Sequence, residues 1–134
     1  MVELKNNFNK VYYSGKFDAA NGYVHTQWFG FVPSEQAIEA VEATIKLLRD
    51  SGCKKLLSDN SMIKGAWGET NEWLENNWYR EATALGLQKH ATILPADIFS
   101  KSSHEQFEKS QSNHSIVMKN FQTMEDAKNW LSGG

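Results

Sequence analysis

Lys54-Lys55-Leu56-Leu57-Ser58-Asp59-Asn60-Ser61 is the stretch on which the reading turns. Two leucines stand between a lysine pair and an abrupt polar run. The pattern predicts a buried parallel strand over 54–58, lying in mid-sheet with a neighbour on either side. Asp59, Asn60 and Ser61 then emerge at the rim and open a loop over 59–68. In open parallel sheets ligands gather beyond the carboxyl ends of the strands, so this rim is the place to look for a site.

Upstream, Pro33-Ser34 opens a helix whose Ile38, Val41, Ile45 and Leu48 recur at helical spacing, and Ser51-Gly52 closes it. Before that, Val11-Tyr12-Tyr13 and the run from Tyr23 to Phe29 are strand-like. They flank Asn21-Gly22, a strong hairpin signal, so the two strands should pair antiparallel. Alternation places Tyr23, His25, Gln27 and Phe29 on one face, and Val24, Thr26 and Trp28 on the other. Residues 1–9 are polar and Asn-rich and read as a loosely held segment ahead of a domain over 10–134.

Downstream, a second helix is expected from Glu69 or Thr70 to Leu85, ended by Gly86. His90 to Leu94 forms a strand stopped by Pro95, and 97–110 a polar helix. Ser115 to Phe121 gives the last strand, and Thr123-Met124-Glu125-Asp126 caps a final helix carrying Ala127, Trp130 and Leu131. The order is ββαβαβαβα: one α/β domain with a mixed, mainly parallel, five-stranded sheet.

Composition narrows the function classes. At 134 residues the chain is one domain, with 40% hydrophobic and 22% charged residues. A net charge of −2 with interspersed signs offers no basic stripe for a phosphate backbone, which argues against nucleic acid. The first residues lack the apolar core of a signal peptide, and no run reaches the ~18 apolar residues of a membrane span. Cys53 is alone, which fits a reducing cytoplasm and reads as a small core residue.

Asp59, Asn60, Ser61, Lys64 and Trp67 put an acid, an amide, a hydroxyl, a base and an indole in one loop, with Thr70 just beyond. Together they could hold a polar ligand or a partner's side chain. The competing reading is local: Asp59 and Asn60 satisfy nearby backbone groups, and Trp67 covers the core. Trp28, Phe29 and Phe31 cannot all hide on one sheet face, so Trp28 and Phe31 are candidates for an exposed aromatic or dimer contact. The four His show no metal-ligand spacing, Ser61 lacks a Gly-x-Ser-x-Gly elbow, and Gly65 and Gly68 make no phosphate loop. No metal, cofactor or catalytic group is therefore expected.

The hairpin at Asn21-Gly22, the strand end Leu56 to Ser61 and the closing Phe121-Gln122-Thr123-Met124-Glu125-Asp126-Ala127-Lys128-Asn129-Trp130-Leu131 resemble the SpoIIAA-like, or STAS/SEC14-like, small bacterial proteins. The resemblance spans about residues 10–131. It implies a SpoIIAA-like fold and a cytoplasmic, non-enzymatic interaction or regulatory module that binds a protein partner through rim loops. The looser likeness to SEC14-type carriers implies the alternative, a small binding protein for a hydrophobic or amphipathic ligand near Trp67, Trp73 and Trp78. Anti-sigma-factor antagonists of this fold carry a phosphorylatable Asp-Ser motif ahead of the helix after the central strand. Here that stretch is Lys64-Gly65-Ala66-Trp67-Gly68-Glu69-Thr70-Asn71, with no Asp-Ser pair, so the phosphoswitch does not carry over.

Overall fold

A computed structural model describes residues 2–31, 34–64, 77–94 and 116–132. In chain order these form β1 (Val2–Lys5), β2 (Val11–Asp18), β3 (Tyr23–Phe31), α1 (Ser34–Ser51), β4 (Lys55–Lys64), α2 (Tyr79–Ala84), β5 (Lys89–Ile93), β6 (Val117–Phe121) and α3 (Met124–Ser132). The strands make one six-stranded sheet in sequence order. β1–β2 and β2–β3 are antiparallel, whereas β3–β4, β4–β5 and β5–β6 are parallel. β4 therefore lies in mid-sheet between parallel neighbours, as its sequence predicts.

Two expectations need correction. Residues 2–5 are not loose: Val2, Glu3 and Leu4 pair with Gly15, Ser14 and Tyr13, adding a sixth strand. Their alternation of apolar and charged residues is masked in the sequence by the polar Asn-rich run after them. β4 also does not end at Ser58 but runs on to Lys64, so Asp59, Asn60 and Ser61 belong to a strand and not to a loop. The expected helix over 97–110 and the first part of the second helix, up to residue 76, lie outside the described residues.

The sheet has a core on each face. On one face Tyr13, Val24, Trp28, Leu56 and Met118 pack with Ala37, Ala40, Val41, Ile45 and Leu48 of α1, and with Trp78 and Ala82 at α2. The inward stripe of α1 includes small residues, and Ile38 is only half-buried, because Ala37 and Ala40 let the helix backbone approach the sheet. On the other face Tyr23, Leu57, Ala91, Ile93 and Phe121 meet Ala127 and Leu131 of α3. Each fully buried aliphatic side chain contributes about 1.5–3 kcal/mol relative to exposure, so these two stripes are what hold α1 and α3 in place.

A bulge tailors the α1 face. Leu4 pairs with Tyr13 but Lys5 pairs with Val11, leaving Tyr12 as the extra residue. Tyr12 and Tyr13 consequently both join the α1-side core. Tyr12 donates to Glu39 Oε2 at 3.4 Å. Thr44 Oγ1 lies 2.6 Å from the Tyr13 hydroxyl and donates its own proton to Ala40 O at 3.0 Å. With that proton committed, Tyr13 is the donor to Thr44. Burial raises the Tyr13 phenol to about 12 despite the Thr44 bond, so it stays a neutral donor.

Glycines and caps end the helices where the sequence places them. Gly52 (φ 67°) donates to Leu48 O, closing α1. After α2, Gly86 (φ 84°) donates to Thr83 O and Leu87 to Ala82 O, the two bonds of a Schellman ending. Thr123 Oγ1 accepts from Asp126 N at 3.2 Å at the start of α3.

Candidate functional site

The carboxyl half of β4 leaves the body of the sheet. Asp59 pairs with Ile93, the last residue of β5; beyond it Asn60 and Ser61 fall at a register shift, and among the described residues 62–64 pair only with β3. Within this extension the register shifts: Gln27 pairs with Asp59 but Phe29 with Met62, so β4 carries one residue more than β3. Side-chain bonds fix the irregularity. Asp59 Oδ1 accepts from Ser61 N at 3.0 Å and from Ser61 Oγ at 2.6 Å. Asn60 Oδ1 accepts from Ser58 Oγ at 2.7 Å.

The local reading of Asp59 and Asn60 therefore holds, since both satisfy groups two residues away. It leaves Asp59, Asn60 and Ser61 half-buried and in contact with solvent. The extra residue also sorts the side chains beyond it. Ile63 packs against the α1-side core, while Met62 turns to the opposite face and is 61% exposed. Phe29, half-buried, is its partner on β3. The result is a short two-stranded projection bearing a carboxylate, an amide, a hydroxyl and an exposed thioether.

The other expected site residues fare differently. Trp28 is no exposed contact: it is 4% exposed and stacks edge-on against Tyr13 with ring centroids 5.1 Å apart. It is Tyr13's register partner on β3, and both rings belong to the core under α1. Trp67 and Thr70 lie outside the described residues, as do the side chains of Phe31 and Lys64. Cys53 is half-buried, its thiol 3.3 Å from Gly22 O and 3.2 Å from Lys55 O.

His25 stands on the α3 side of β3, one pair down from Gln27 and Asp59. Its Nε2 is buried without a hydrogen-bond partner. Burial lowers its pKa below the ordinary value; Asp59 and Asp18 pull upward, and Lys16 and Lys128 add to the lowering.

Sequence reasoning missed one constellation. Thr26, Ser58, Thr92 and Asn120 are successive register partners across four strands, and all four are buried. They form a polar row on the α1 face, one step beyond the apolar row Val24, Leu56 and Met118. The readable signal was a single small polar residue recurring at an inward position of each strand. On the same side a cleft of about 340 Å³ opens between α1 and α2, lined by Glu42, Ile45, Arg49, Asn77 and Glu81. Among the described residues no helix is long and apolar enough to cross a membrane.

No family model matches the chain. No curated protein matches it either. Among solved structures it is similar to an uncharacterized protein of the DUF3478 family from Shewanella loihica PV-4, described as having a SpoIIAA-like fold. The likeness has a TM-score of 0.62 at 15% identity, over 89% of this chain and 91% of that one. Sheet order, the two-sided helix cover and this likeness converge on a SpoIIAA-like fold.

Proposed function

We propose that this chain is a non-enzymatic interaction module of the cytoplasm that binds a protein partner through the β3–β4 projection. One observation carries the reading: Met62 is 61% exposed on a strand that has outrun its β5 neighbour, beside the half-buried Asp59, Asn60 and Ser61. An exposed flexible thioether next to polar groups suits an interface core with a polar rim. The strand edge along residues 60–64, which no described strand covers on the β5 side, adds donors and acceptors for an incoming segment.

The test is affinity capture from a native extract with wild type, Asp59→Ala and Met62→Asp. Wild type should retain a defined protein that both variants lose. Met62→Asp should melt as wild type does, because the side chain is exposed. Retention of the same protein by both variants sinks the reading.

A second reading, a small carrier for an amphipathic ligand, draws support from the row Thr26, Ser58, Thr92 and Asn120, whose buried polar groups suit a ligand head, near Trp78. Native mass spectrometry of the purified protein separates the two: a carrier retains a small molecule, and a partner module does not.

A further inference from the structure

We propose that β1 is a self-association edge, through which two copies pair antiparallel about a two-fold axis at Leu4 and join their six-stranded sheets into one. β1 is outermost in the sheet, and β2 is its neighbour. Its far side, which no described strand covers, presents a row of backbone donors and acceptors, a template for another strand. Val2 and Leu4 are half-buried against the α1-side core, whereas Glu3 and Lys5 are exposed on the opposite face.

The charge order selects both partner and register. Pairing centred on Leu4 sets Leu4 against the partner's Leu4 and Glu3 against the partner's Lys5, the latter twice by symmetry. Pairing centred on Glu3 opposes two acids, and pairing centred on Lys5 opposes two bases. A one-residue slip sets Glu3 against the partner's Leu4 and brings opposite faces together. A second copy of this chain therefore meets complementary charge in one in-phase arrangement. That arrangement is isologous, as a closed dimer requires.

Two exposed aromatic residues fit the same geometry. Phe8, in the turn between β1 and β2, is 82% exposed, and Phe17 on β2 is 42% exposed. Val2 pairs with Gly15, so described β1 stops short of Phe17. Antiparallel docking carries the Phe8 turn toward that stretch of the partner's β2, which no described strand covers on the β1 side and which bears the partner's Phe17. Apolar contact there supplements the short strand pairing.

The experiment is sedimentation equilibrium of the full chain, as wild type, Glu3→Lys, Lys5→Glu, the double exchange, and an equimolar mixture of the two single variants. Wild type should dimerise reversibly. Each single reversal should raise the dimer dissociation constant about tenfold or more by placing like charges opposite each other. The double exchange and the mixture should both recover association, because each restores an acid opposite a base. Met62→Asp should dimerise as wild type, keeping this outcome separate from the fate of the β3–β4 projection. A monomeric wild type, single variants that dimerise unchanged, or a mixture that stays monomeric overturns the proposal.

Discussion

His25 is the residue whose chemistry most exceeds its place in the pattern. Alternation predicted its face, but not that its Nε2 would be enclosed without a partner. Desolvation by burial, then Lys16 and Lys128, disfavour the imidazolium, and Asp59 and Asp18 only partly offset them. The folded pKa thus lies below that of the unfolded chain. A group depressed in this way leaves stability intact above its unfolded pKa, about 6.5, and erodes it as pH falls toward the folded value. The melting temperature should therefore drop between pH 7.5 and 5.5, and His25→Gln should flatten part of that slope. An unchanged slope in the variant would show that His25 does not govern it. Asp59 teaches the complementary lesson. Its sequence allowed either a local bond or an exposed recognition group, and the structure gives a strand residue that makes the local bond while remaining only half-buried.

Elements with strong periodicity and end signals were readable, and α1, the β2–β3 hairpin and α3 stand close to where the sequence puts them. β1 and the far half of β4 were not, for related reasons. Four alternating residues at a chain edge carry little pattern, and Asp59-Asn60-Ser61 has turn chemistry that pairing with β3 overrides. Tertiary context also finishes α3. Lys55 Nζ donates to Leu131 O at 2.7 Å, so a cation from β4 closes the last turn of a helix with no basic residue of its own there. Lys55→Met should cost about 1 kcal/mol by denaturant titration, from loss of a charge at a helix C-terminus. The loss should be confined to α3, with faster amide exchange at 129–132. Full stability in the variant would show that the contact contributes nothing.

At the scale of the molecule, β4 is held on both edges by parallel neighbours and on both faces by a core, through Leu56 toward α1 and Leu57 toward α3. Opening it requires disrupting both helix layers. Amides of Leu56 to Asp59 should be among the slowest in the protein to exchange, close to the global unfolding limit, while those of 60–64 exchange sooner. Equal protection along all of β4 would argue against a projecting end. The bulge held by Asp59 and Ser61 gives that end its character in another respect. It works as a change of parity: one surplus residue reverses the in–out phase of everything downstream, sending Ile63 inward and Met62 outward. Removing residue 60 would take out the surplus and leave both where they are, whereas straightening the strand with every residue kept would trade the two, withdrawing the thioether from solvent and presenting a branched aliphatic chain instead. The outward identity of this tip is thus set by counting along the backbone as much as by which side chains the tip contains.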